Sequence, residues 1–360
     1  MRFLICLLVL KVVCFSGIAQ PRSVAVLAYY TGDGERIREY PVEGLTHVIY
    51  SFLELQEGKL AFKREGQKAI LQKLVALKKD HPQLKIMVAL GGWGGCAPCS
   101  PAFSTRKGRK LFAISVLQLL REYGADGIDL DWEYPTIEGY PGHPYAPGDY
   151  DHFTELVKVL RHTLGKNYEI SFAAGGFTKF VEEAVNWQKV VKWVDRVNLM
   201  TYDLVGGFSK VTGHHTPLYS SAKQKESADH CIQLLRQRNF PVEKLVIGAA
   251  FYARTWKEVS PANDGIFQDG VFQSFVPYRK HIESFEPAAG YKKFFDADTQ
   301  ASWSYNEKER VFATYDDERS IEAKVDYVKK NNMGGIMFWE LTLDRPKQGL
   351  LGVILKNVKD

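Results

Sequence analysis

Asp126-Gly127-Ile128-Asp129-Leu130-Asp131-Trp132-Glu133-Tyr134-Pro135 packs four acids into eight residues and alternates three of them with Ile128, Leu130 and Trp132. Side chains of a β-strand point in turn to its two faces. This period of two therefore predicts a strand with Asp129, Asp131 and Glu133 on one side and the apolar set on the other. Successive carboxylates on that side would lie roughly 6.5 Å apart. Three carboxyls so close cannot all ionise freely, so at least one pKa is expected to rise. A raised carboxyl pKa is what a general acid needs near neutral pH. An exposed acidic strand or a cation site is the plain alternative. It fits poorly, because large apolar partners imply a strand buried on its other face.

Working outward, the stretch is one of eight short apolar or alternating runs: Val24–Tyr30, His47–Phe52, Lys85–Gly91, Gly127–Glu133, Glu169–Ala174, Arg196–Tyr202, Leu245–Phe251 and Gly335–Trp339. Amphipathic helical patterns lie between several of them. The clearest is Asp151–Leu164, with Phe153, Leu156, Val157, Leu160 and Leu164 on one face and Gly165 as a stop. Ile70–Leu77, Leu111–Leu120 and Ile321–Val328 are others. Eight strands alternating with helices predict an α/β chain, a (β/α)8 TIM barrel. A doubly wound open sheet is second, but no dinucleotide or phosphate-loop fingerprint follows the first strand. The last gap, from Leu245 to Gly335, is 90 residues. Its excess, 259–306, reads as a small α+β insertion between strands seven and eight, since unstructured loops beyond about 15 residues are uncommon.

The formal charge of +5 over 360 residues is too mild to suggest nucleic-acid binding. The basic cluster Arg106-Lys107-Gly108-Arg109-Lys110 opens an expected helix and reads as a solvated face. Residues 1–19 join a basic start to an apolar core and end in Gly17-Ile18-Ala19, the pattern of a signal peptide cleaved after Ala19. A secreted protein, extracellular or periplasmic, is expected, with residues 20–360 forming one catalytic domain. Neither a membrane nor a nucleic-acid partner is expected, and the chain reads as a monomer. Cys96-Ala97-Pro98-Cys99 could be a local disulfide, a redox pair or half of a zinc site, with a disulfide between Cys96 and Cys99 preferred. No second CxxC and no His pair at ligand spacing accompany it, so no metal is expected. Adjacent His214 and His215 are poorly placed to share one ion. Cys231 shares helical spacing with Ala228, Ile232 and Leu235 and reads as a buried thiol.

Barrel enzymes place their chemistry at the carboxyl ends of the strands. Those ends carry Phe52, Gly91-Gly92-Trp93, Glu133, Met200-Thr201-Tyr202-Asp203, Tyr252-Ala253-Arg254 and Trp339. Acids, a tyrosine, an arginine and several aromatic rings would thus meet at one mouth. Sugars suit such a lining, because their apolar faces stack on rings while their hydroxyl and acetamido groups need hydrogen-bonding partners. Trp132, on the opposite parity, reads as core, and Asp126 as an anchor for the strand.

Asp126-x-x-Asp129-x-Asp131-x-Glu133 resembles the DxxDxDxE signature of glycoside hydrolase family 18, the chitinases and their relatives. Ala89-Leu90-Gly91-Gly92 is similar to that family's SxGG, Met200–Asp203 to its MxYD and Tyr252–Arg254 to its YGR. Ala253 stands where Gly is common and Ala89 where Ser is usual; the loss of that Ser hydroxyl bears on the pH optimum more than on the reaction. The resemblance implies a chitinase that needs no cofactor and acts on chitin or another glycan containing N-acetylglucosamine. It implies retention of configuration through attack by the substrate's own acetamido oxygen, a route outside the two-carboxylate scheme. Glu133 would be general acid and then base, and Asp131 would orient the acetamido group with Asp129 behind it. Tyr202 and Asp203 would assist. Trp339 would floor the cleaved sugar's subsite, and Phe52, Trp93, Met200, Tyr252 and Arg254 would be further substrate contacts. Arg254 could equally be an ion-pair partner of Asp203. An endo-β-N-acetylglucosaminidase acting on N-glycans and a non-catalytic chitin-binding lectin are the alternatives. The lectin reading is disfavoured because Glu133, Asp131 and Tyr202 are all present.

Overall fold

A computed structural model describes residues 24–359. The leader expected over residues 1–19 lies outside them.

Eight parallel strands close on themselves. In chain order they are β1 (Ala25–Tyr30), β2 (His47–Gln56), β4 (Lys85–Gly91), β5 (Gly127–Asp131), β6 (Glu169–Gly175), β7 (Arg196–Met200), β8 (Leu245–Ala250) and β14 (Gly335–Trp339). Each pairs with the next, and β14 pairs with β1, so the sheet has no free edge. All eight expected strands form. β2 runs on past Phe52 and folds back on the short β3 (Lys59–Ala61), whereas β5 stops at Asp131 and leaves Glu133 just beyond the strand. β1, β4, β5, β6 and β8 are buried almost throughout, as expected of strands covered by helices on one side and packed inside the barrel on the other.

The helices follow the apolar spacing. That of Asp149–Leu164 buries Phe153, Leu156, Val157, Leu160 and Leu164 and ends at Gly165, whose φ of 68° lies where side chains with a Cβ are strained. That of Arg106–Tyr123 begins at Thr105, whose side chain accepts from the Gly108 amide, and ends at left-handed Gly124. Trp132 has its ring 5.7 Å from Phe103, on the short helix Cys99–Phe103, and 6.3 Å from Phe153 of the helix Asp149–Leu164, so it belongs to the core.

Between β8 and β14 the chain builds a second, antiparallel sheet. Its strands are β9 (Tyr252–Lys257), β10 (Val271–Pro277), β11 (Lys292–Asp296), β12 (Ala301–Asn306) and β13 (Val311–Tyr315), in the order β10-β9-β13-β12-β11. Trp256, Ile266, Tyr305 and Phe312 give it a core of its own. This sheet reaches beyond 259–306 at both ends, and β9 and β13 are among its inner strands. β9 follows β8 after a single residue, so no change of composition marks where one sheet hands over to the other.

Candidate active site

Inside the barrel, a polar cluster replaces the usual branched aliphatics. Asp129 of β5 accepts hydrogen bonds from the Tyr29 hydroxyl (2.9 Å), the Ser171 hydroxyl (2.5 Å) and the Asn198 amide nitrogen (3.0 Å). These partners come from β1, β6 and β7, so the bonds cross the barrel interior. Asp129, Ser171 and Asn198 are fully buried. Burial pushes the Asp129 carboxyl up to about 6, although all three donors pull the other way. In the ladder, Asp129 lies between Ala89 on β4 and Ser171 on β6. The hydroxyl absent at Ala89 is thus present on the opposite neighbouring strand.

Asp131 has the same parity one step toward the barrel mouth. Burial raises its pKa well above the carboxylate range, and the charges of Glu133 and Asp129 add to this. Its Oδ1 is buried and has no hydrogen-bond partner among the described residues. Glu133 follows, partly exposed to the mouth. Burial lifts its carboxyl to about 7, opposed by a hydrogen bond with Tyr134 and assisted by the charge of Asp203. The three acids therefore carry fewer than three negative charges near neutral pH. Burial is the main cause for all three, and only at Asp131 do the neighbouring acids of the triad add to it.

Asp203 behaves oppositely. Burial alone would raise it, but His215 and the two-point clamp of Arg254 (Nε to Oδ1 2.7 Å, Nη2 to Oδ2 2.6 Å) hold its carboxyl well below the usual range. Arg254 therefore meets its acid directly, as the ion-pair reading expects, and it also lines the mouth. His215 is fully buried with Nδ1 3.6 Å from Asp203, and His214 lies 3.6 Å from Asp296. Among the described residues, no group of three or more His, Cys, Asp or Glu is arranged to hold a metal.

A cavity of about 910 Å³ opens at this end of the barrel. Asp131, Glu133, Tyr202 and Asp203 line it together with Met200 and Arg254. Phe52, Trp93, Tyr252 and Trp339 line it too, so every expected side chain except Asp129 reaches it; Asp129 sits behind Asp131. Phe52 stacks on Trp339 with centroids 5.4 Å apart, making a flat apolar floor. Trp93 is half-exposed at the rim, 5.5 Å from Tyr140 and 6.3 Å from Phe208. Its loop carries a Cys96–Cys99 disulfide with Cα atoms 5.2 Å apart. At the base of that loop, Gly91 has a φ of 103°, and a Cβ there would sit 2.2 Å from the Asp131 carbonyl oxygen. Only glycine fits. The peptides Ser51–Phe52, Glu133–Tyr134 and Trp339–Glu340, all at this mouth, are cis.

Several site residues escape sequence reasoning. Ser171 and Asn198 had a usable signal, being polar residues inside otherwise apolar buried strands. Tyr29 had none, since it reads like any core ring. Phe272 and Phe275 line the cavity from β10, and nothing local indicates which way that strand faces. Asp126, at the other end of β5, accepts from the Ile86 amide (2.7 Å) and from Lys78 (2.6 Å), as an anchor should.

A family model described as glycosyl hydrolases family 18 matches residues 25–344. Chitinase A1 of Niallia circulans is 30% identical over 305 residues, covering 77% of this chain and 43% of that protein. Chitotriosidase-1 of Mus musculus is 28% identical over 317 residues, covering 83% of this chain and 67% of that one. The chain thus spans from under half to about two thirds of the length of these relatives. Among solved structures, a glycoside hydrolase family 18 N-acetylglucosaminidase from Paenibacillus barengoltzii superposes with a TM-score of 0.84 at 32% identity, over 93% of this chain and 99% of that one.

Proposed function

The chain belongs to the glycosyl hydrolases family 18, and from that premise we propose that it is a chitinase. It would cleave β-1,4 links between N-acetylglucosamine units with retention of configuration, using the acetamido oxygen of the substrate as nucleophile. The observation that carries this reading is Asp131: buried, raised in pKa, and with an oxygen that has no partner among the described residues. A buried carboxyl oxygen without a partner is costly, and an acetamido N–H would satisfy it. Glu133, raised to about 7, retains a proton to give to the glycosidic oxygen. As the leaving sugar departs, the acetamido oxygen closes on the anomeric carbon and positive charge spreads over the new ring. Asp131 stabilises that charge, and Asp129 behind it shares the proton load. Glu133, now ionised, takes a proton from the water that reopens the ring. Tyr202 is suited to hold the acetamido oxygen in line for attack, and the Trp339–Phe52 floor to carry the apolar face of the reacting sugar.

The test is turnover of a chromogenic chitobiose substrate by the wild type and by Glu133→Gln. A loss of roughly 10²–10⁴-fold is expected on removing a general acid, and equal rates would sink the assignment. Release of intact glycans from a glycoprotein, with no action on chitin oligomers, would instead select the endo-β-N-acetylglucosaminidase reading. We further propose that the protein acts as an exported monomer. Within the described residues, no helix is long and apolar enough to cross a membrane.

A further inference from the structure

Behind the wall of the cavity lies an ion pair that the reaction does not use. Lys324, on the helix Glu318–Lys330, and Asp316, which precedes that helix, are both fully buried with their charged atoms 2.6 Å apart. The lysine also donates to the Thr216 hydroxyl at 2.6 Å. Taking two charges out of water costs more than their attraction usually returns, so such a pair is poor evidence of stabilisation and invites a search for what it specifies.

Its hydrogen bonds show what it joins. Asp316 Oδ2 accepts from the Ala250 amide (2.9 Å) at the last residue of β8, and its Oδ1 from the Ser320 hydroxyl (2.7 Å). The Thr216 hydroxyl donates to the Thr201 carbonyl (3.1 Å) just past the end of β7. Thr201 is followed by Tyr202 and Asp203, while Ala250 is separated from Tyr252 only by Phe251. The cluster therefore ties together the two strand ends that present Tyr202 and Tyr252, whose rings meet edge to face at 6.1 Å in the cavity wall. The next residue back from Thr216 is His215, the buried partner of Asp203. Lys324, Asp316, Thr216 and His215 do not themselves line the cavity.

We propose that Lys324, acting through Asp316 and Thr216, is a positioning residue that sets Tyr202 for alignment of the acetamido oxygen. This rests on the substrate-assisted reading above. The pair acts as a latch across β7, β8 and the exit from the second sheet, and it holds the hydroxyl of Tyr202 in the attack geometry rather than contributing to binding. Its loss should consequently appear in kcat more than in KM, because alignment matters most in the transition state.

The experiment compares wild type, Thr216→Val and the double variant Lys324→Met/Asp316→Asn, on the chromogenic chitobiose substrate, each also in a Tyr202→Phe background. The double variant leaves no unpaired buried charge, and its asparagine can still accept from the Ala250 amide. Thr216→Val keeps the ion pair and cuts only its link to β7, so it covers the case in which the double variant fails to fold. For variants with a cooperative melt above the assay temperature, kcat should fall about tenfold with KM within about twofold. In the Tyr202→Phe background the same changes should cost almost nothing further, because both act on one hydroxyl. Folded variants with wild-type kcat, or losses that simply multiply with that of Tyr202→Phe, would overturn the latch and leave the proposed reaction standing. A wild type inactive on every N-acetylated substrate would remove both.

Discussion

At the scale of single residues, three acids on and just past one strand differ because their surroundings differ. Asp129 receives three donors, Asp131 has a buried oxygen with none among the described residues, and Glu133 looks into the mouth. Turnover needs the protonated form of Glu133, so activity in the free enzyme should decline as pH rises through about 7. A kcat/KM profile still rising beyond pH 9 would contradict this. The same shift bears on stability. The folded state keeps this proton up to about 7 while the unfolded chain releases it near its ordinary 4.5, so stability contributed by the protonated form is present below 4.5 and lost as pH rises to 7. Glu133→Gln, which cannot ionise, should therefore be more stable than wild type above pH 7. The gain should be about 1–2 kcal/mol, allowing for the side chain's partial exposure, and should vanish below pH 4.5. Melts showing the reverse order would refute the raised pKa. Asp131→Asn removes the carboxyl that would ionise to face the developing cation and should slow kcat roughly 10²–10³-fold, as for other electrostatic stabilisers. Circular dichroism should show the variant still folded; an undiminished rate would argue against assistance by the acetamido group.

At the scale of elements, strand period carries the argument. Because parity on β5 is two, aiming Asp129 and Asp131 inward sends Ile128 and Leu130 outward to the helices, and Trp132 follows them into the core. The loop after β4 obeys different rules. It leaves the strand through Gly91, where a side chain would strike the Asp131 carbonyl, and returns through the buried Cys96–Cys99 bridge to the helix Cys99–Phe103. Trp93 hangs between these two fixed points, so the bridge should govern how well the ring is presented. Replacing both cysteines by serine should raise KM for longer chitin oligomers about three- to tenfold, the scale of one aromatic contact. The rate on the short chromogenic substrate should change little. Equal KM values for the long substrates, or alkylation mapped by mass finding free thiols at both Cys96 and Cys99 in the wild type, would dispose of this role.

At the scale of the whole molecule, the site depends on contacts between distant stretches. Arg254 belongs to the second sheet and Asp203 to the end of β7, yet they form one bidentate pair in the cavity wall. Arg254→Met would leave Asp203 without its main counter-charge beside Glu133, and kcat/KM should drop at least about tenfold, or 1.4 kcal/mol. A variant as active as wild type would reduce the pair to decoration of the rim. The strands, four of the longer helices and the acidic run were legible in the sequence, because period and parity are local properties and the residues that express them are consecutive. The barrel followed from repetition of strand and helix, and the mouth from the rule that strand carboxyl ends carry the chemistry. The partners of Asp129 were not legible: Tyr29, Ser171 and Asn198 lie 100, 42 and 69 residues away and meet it only because the sheet closes into a ring. Nor was the inner position of β9, since it continues from β8 without a break, or the burial of Lys324 against Asp316, since a helical lysine looks solvated until the packing around it is known. Sequence alone determined which side of β5 faces inward, because alternation along that strand is sufficient for that. Which inward groups touch, and how far each carboxyl is pushed from its ordinary pKa, was decided by tertiary structure, because burial and charge act through space between residues the chain keeps far apart.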